Sequence, residues 1–169
     1  MPVVLGIIGL CQVDLGSNRM SNLEARIQKI EDRLALQDLI SSYCIHIDEG
    51  QDVDAIVDCF VDDAVLDLSG LGLPVVTGRQ NIREFFISVL AGTECNAHYS
   101  TNFRINRLEG DEAECQSYVH AVGVARGGSD ILVYAKHQFQ CVRTEKGWKI
   151  KHFSEPYLVP PIHDIPDFE

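Results

Sequence analysis

Basic residues are in short supply, with 14 Lys and Arg against 25 Asp and Glu and a formal net charge of −11. Such a surface repels phosphate, which argues against nucleic acid or an anionic membrane as partner. The six cysteines, at positions 11, 44, 59, 95, 115 and 141, include no CxxC and no His–Cys pairing at zinc spacing. A zinc site has no pattern to rest on, and the cysteines read as small buried hydrophobes, reduced in a cytoplasmic protein. Glycine never falls into GxGxxG or a Walker motif, so nucleotide binding has no support. Without GxSxG the commonest serine-hydrolase elbow is missing as well. No cofactor and no metal are expected. Long apolar runs are also missing. The opening MPVVLGIIGLC lacks a basic lead, carries Leu10 before Cys11 where a lipoprotein signal wants a small residue, and falls short of the roughly 20 apolar residues that cross a bilayer. We read residues 1–19 as an N-terminal extension outside the core, with Met20 as the natural start.

What is present is ordinary for one globular domain: 169 residues, 46% of them hydrophobic, enough for a core of useful size. Ser21 and Glu24 form a capping box in front of a long periodic segment that meets no Gly or Pro until Gly50, so a helix is expected over that span. Its first third, with Leu23, Ile27, Ile30 and Leu34 set among charges, suits a partner subunit as well as its own domain. A short helix is expected from Val53 with Asp52 as cap. DDAVLDL follows as a strand, broken by Gly70, Gly72 and Pro74. Thr77 and Gln80 repeat the capping-box spacing before a helix whose apolar face is Ile82, Phe85, Phe86, Val89 and Leu90 and which closes at Gly92. From Asn96 the period changes to four long strands joined by EGDE, RGGSD and TEKG, an antiparallel meander. Residues 157–169 carry three of the six prolines and read as a tail,. The whole is an α+β domain over residues 20–156, a cone-shaped curved antiparallel sheet wrapped around N-terminal helices and enclosing a pocket.

The chemistry concentrates in RLALQDLISSYCIHIDEG, read from Arg33. Leu36, Leu39, Ile40, Tyr43 and Ile47 make one apolar stripe, while His46, Asp48 and Glu49 crowd the helix end. Fifty residues on, His98 opens an alternating segment. A carboxylate that accepts a hydrogen bond from one ring nitrogen of His fixes its tautomer and leaves the other nitrogen free as a base. Asp48 and His98 are the candidate pair; the plainer reading makes Asp48 a helix-end acid and His98 a satisfied polar residue. Tyr43 is either a core aromatic or a donor to a substrate oxygen. At about 100° per residue Tyr43 and Asp48 stand some 140° apart around an ideal helix, so they converge only if the last turn loosens or the substrate lies across the helix end. Alternation puts Lys136 and His137 on opposite faces of a strand, and both read as surface or interface residues. His120 is the better candidate for substrate binding. His152 and His163 read as solvated.

On these segments, together with TGRQNIREFF, AHYSTN and the late GWKI, the sequence resembles the SnoaL-like, nuclear-transport-factor-2-like superfamily in its scytalone-dehydratase-like branch, over roughly residues 20–156. The resemblance implies a cone of curved sheet around a deep pocket, commonly in a homodimer. Hexachlorocyclohexane dehydrochlorinases have a catalytic Asp and a catalytic His in segments that fall on Asp48 and His98. Bile-acid 7α-dehydratases have a Tyr that falls on Tyr43, where the dehydrochlorinases have Lys, which counts against dehalogenation. Scytalone dehydratase has a second catalytic His on the next strand, near His120. The activity implied is a cofactor-independent, dehydratase-like lyase acting on a cyclic, largely apolar small molecule. An isomerase or polyketide-cyclase-like enzyme with the same dyad, and a non-catalytic ligand-binding or assembly domain, are the alternatives.

Overall fold

The computed structural model describes residues 15–50 and 52–161. The opening segment through residue 14 with Cys11, and His163 in the tail, lie outside the described residues. The chain divides into two compact units, residues 1–32 and 33–169. The described part of the first is helical throughout. It belongs to α1 (Leu15–Glu49), which begins earlier than the Ser21 box predicts. A capping box acts only where the chain leaves helical geometry, and residues 15–20 contain no proline to force that. The helix stops where expected: Gly50 takes φ 59° and donates its N–H to the His46 carbonyl, a left-handed terminus that suits glycine.

In the second unit, α2 (Val53–Asp58) is capped by Asp52, whose carboxylate accepts from the N–H groups of Asp54 and Ala55. β1 (Phe60–Asp67) and β2 (Val75–Thr77) form a hairpin around a 3₁₀ turn at Ser69–Leu71. α3 (Arg79–Gly92) follows, and its N-cap is Gly78, not Thr77. Thr77 is the last residue of β2, so its side chain is committed to the strand, and the helix is entered through a φ of 88° at Gly78. Then come β3 (Thr93–Glu109), β4 (Glu112–Ala125), β5 (Asp130–Thr144), β6 (Gly147–Ser154) and β7 (Tyr157–Val159).

The strands join in the order β2-β1-β6-β5-β4-β3, with β7 added to β5. β3 to β6 are the antiparallel meander read from the sequence. β1 pairs β6 in parallel, so the sheet is mixed and not purely antiparallel. The chain reaches β6 from β1 only through α3 and the meander, a crossover that returns it in the same direction. The sheet curls without closing. A bulge at Thr101–Arg104 bends β3, with Asn102 at φ 55°, a device that sharpens twist locally.

Period-two burial decides which residues face the core. Ala113, Cys115, Ser117, Val119 and Ala121 of β4 and Ala135, His137, Phe139 and Cys141 of β5 are buried. Leu36, Ile40 and Tyr43 of α1 join the same cluster as Phe60, Phe86, Phe139 and Phe153. Cys44, Cys59, Cys115 and Cys141 are the buried thiols expected, but Cys95 is exposed, because it lies on β3 at the open edge of the sheet.

Candidate active site

Asp48 is the penultimate residue of α1, and His98 lies six residues into β3. The fold brings them together. Asp48 Oδ1 is 2.5 Å from His98 Nδ1, and Asp48 Oδ2 accepts the His98 backbone N–H at 2.8 Å. Asn96, two residues before His98 and on the same strand face, donates its Nδ2 to Asp48 Oδ1 at 3.3 Å and to the Ile47 carbonyl at 3.3 Å. The carboxylate is therefore fixed from three sides. With Nδ1 turned to Asp48, the ring's Nε2 has no hydrogen-bond partner among the described residues.

This junction needs β3 and β4 unusually close. Asn96 is opposite Gly123 of β4, and a Cβ at Gly123 would stand 2.7 Å from the Cys95 carbonyl oxygen and 3.2 Å from the Asn96 Cβ. Glycine is required there for approach, not for backbone conformation.

His98 lines a cavity of about 230 Å³. The polar side chains of its lining are Tyr43, Thr93, Asn96, His98 and Glu155; the other twelve of the seventeen lining residues are aliphatic or Phe. Asp48 is not in the lining and stands behind His98. Tyr43 and Asp48 therefore do not converge: Tyr43 and His98 line the cavity, and Asp48 bonds to His98 from outside the lining.

Tyr43 is buried, with its ring edge-on to Phe60, Phe86 and Phe139. Burial, and then the Glu155 carboxylate nearby, hold its phenol well above the ordinary tyrosine range, so it stays a protonated donor. Burial followed by the charge of Asp48 pushes the Cys44 thiol up to about 12, and burial pushes Cys59 up to about 11. These three groups hold their protons to higher pH in the folded chain than in the unfolded one. Their contribution to stability is whole below pH about 9 and is lost as pH climbs towards 12,. Denaturant unfolding is expected to give a falling midpoint across that window, and a flat midpoint would contradict the burial of these groups.

Two residues with a part in the site were missed. Glu155, between β6 and β7, lines the cavity, and its Oε1 lies 3.4 Å from Nε2 of His137. His137 is 1% exposed, not a surface or interface residue, and its Nδ1 has no partner. Alternation had already separated it from Lys136; only the direction of the sheet's concave side was missing. His120 is the opposite case. On β4 it stands beside Ala121 and Val122, which line the cavity, but it lies outside the lining itself. There it stacks on Tyr134 with ring centres 4.5 Å apart and lies 5.9 Å from Tyr99. It has no place in this cavity. Among the described residues no cluster of three or more His, Cys, Asp or Glu could hold a metal ion, and no helix is long and apolar enough to cross a membrane.

The SnoaL-like domain model matches residues 28–154. A solved structure of a candidate aromatic ring hydroxylase from Novosphingobium aromaticivorans is 45% identical, covering 78% of this chain and 92% of its own, with a TM-score of 0.76. A candidate scytalone dehydratase from the same organism is 17% identical over 81% of this chain and 89% of its own, with a TM-score of 0.70. The type 3 hexachlorocyclohexane dehydrochlorinase of Novosphingobium barchaimii is 22% identical over 83% of this chain and 99% of its own, also at 0.70. No curated protein matches by sequence.

Proposed function

The chain belongs to the SnoaL-like domain family, and on that footing we propose that it is a cofactor-independent lyase that removes water from a cyclic, largely apolar small molecule. One observation carries the reading. A histidine fixed by a part-buried carboxylate is among the few polar groups facing an otherwise apolar cavity, the arrangement a general base requires.

His98 takes a proton from a carbon of the ring through Nε2. The electron pair left behind forms the new double bond as the neighbouring C–O bond breaks, and the imidazolium returns its proton to the departing oxygen, which leaves as water. Asp48 holds the ring and offsets its charge during the step. Tyr43 donates to the carbonyl or the departing oxygen, where charge develops. The same dyad serves an isomerase if the proton returns to carbon, so product analysis separates the two.

The cavity bounds the substrate. A cavity of about 150 Å³ admits benzene, so about 230 Å³ suits one ring or two fused rings. The ring named for the 45%-identical relative is of this size, and it is the ring-shaped ligand that we carry over from that name. Five free cysteines among the described residues support a reducing, cytoplasmic setting,.

A thermal-shift panel of one- and two-ring carbonyl and hydroxyl compounds tests the reading, with mass spectrometry following loss of water from those that bind. At least one ring compound is expected to stabilise the chain, and Tyr43→Phe should weaken it by about 2- to 12-fold, the worth of one net hydrogen bond. A panel in which no ring compound binds, or binding indifferent to Tyr43→Phe, would count against the assignment.

A further inference from the structure

The helix α1 carries two apolar stripes. Leu36, Ile40, Tyr43 and Ile47 are buried. Met20, Leu23, Ile27, Ile30 and Leu34 are all exposed, by 46% to 62%. At about 100° per residue the two stripes point roughly 150° apart around the helix. Five large aliphatic side chains in one exposed row mark an interaction surface.

The row has the alternating three-and-four spacing of a coiled-coil seam, with Met20, Ile27 and Leu34 at a and Leu23 and Ile30 at d. Its flanks have opposite sign. Glu24, Glu31 and Asp38 occupy e and Arg26 and Arg33 occupy g, all exposed; the Arg33 guanidinium also lies 5.5 Å from the Phe103 ring centre. In a parallel pair each g residue faces the e residue of the next heptad on the other helix. Arg26 then meets Glu31 of the second copy, Arg33 meets its Asp38, and symmetry repeats both pairs across the seam. In an antiparallel pair g faces g and e faces e, which sets Arg against Arg and Glu against Glu. A helix from a different protein would need both signs in this same arrangement, whereas a second copy supplies them by construction.

We propose that the N-terminal half of α1 docks a second copy of this chain, parallel and in register along Met20 to Leu34. The seam ends there, since the next positions are Gln37 and Ser41. This inference stands apart from the cavity and its chemistry.

The test is the mass of the full chain in solution by light scattering at micromolar concentration, for wild type and for the double variant Ile27→Glu with Ile30→Glu. Both residues are exposed, so circular dichroism should be unchanged while the mass falls twofold. Orientation is read from Leu34→Cys under mild oxidation, where mass spectrometry should find the 34–34 linked peptide. An unchanged mass in the double variant would overturn the seam, and an assembled Leu34→Cys protein without that peptide would overturn the parallel register.

Discussion

Turnover by the His98→Ala variant is expected to fall by about 10²–10⁴-fold, the usual worth of a general base. The change removes the ring but keeps the backbone N–H that Asp48 Oδ2 accepts, so the junction of α1 and β3 should survive. The carboxylate in the lining is Glu155, which is turned towards His137. Some residual activity through that carboxylate is compatible with the assignment. Steady-state kinetics on a compound that wild type converts gives the answer, and full activity would make His98 structural and move the search to Glu155.

Asp48→Asn is expected to cost on the order of 10⁴-fold, the effect of the same change in the Ser-His-Asp triad. The reason lies in the three bonds that Asp48 accepts. An amide has one oxygen, and if it keeps the His98 backbone N–H, its NH₂ faces His98 Nδ1. The ring must then leave Nδ1 bare and carry its proton on Nε2, where a base needs a lone pair. If the amide is reversed, its NH₂ opposes the His98 N–H, and the junction loosens. Either way the variant has no negative charge to offset the imidazolium. The loss should fall on kcat more than on KM, because Asp48 does not line the cavity,. A variant that loses binding and keeps kcat would contradict this division of roles.

The site was legible wherever one residue's neighbours in sequence decide its environment. The stripe from Leu36 to Ile47 announced a core helix, and Gly50 announced its end. The pairing of Asp48 with His98 was read from the chemistry of a carboxylate and an imidazole and strengthened by resemblance, because no local pattern says that a helix end meets a strand fifty residues later. The meander was legible from its turns, but the parallel β1–β6 pairing was not, because a crossover leaves no mark on the strands it joins. His137 and His120 show the limit of alternation. Period two separates the faces of β4 and β5 but does not tell which one curls inward, and so His120 was given the role that the concave face gives to other residues. Glu155 follows the end of β6 without any periodicity. Its position depends on Gly70, where a Cβ would stand 2.6 Å from Pro156 Cα, a contact between segments far apart in the chain.

In the proposed mechanism His98 presents a bare Nε2 to the cavity while its Nδ1–H is held by Asp48. Long-range ¹H–¹⁵N correlation on the ¹⁵N-histidine-labelled chain reads this directly, with His98 assigned by its loss in His98→Ala and the spectrum taken above the histidine titration. The proposed mechanism predicts a protonated Nδ1 and an unprotonated Nε2 in wild type, with the proton moved to Nε2 in Asp48→Asn. A wild-type ring that carries its proton on Nε2 and leaves Nδ1 bare would contradict it.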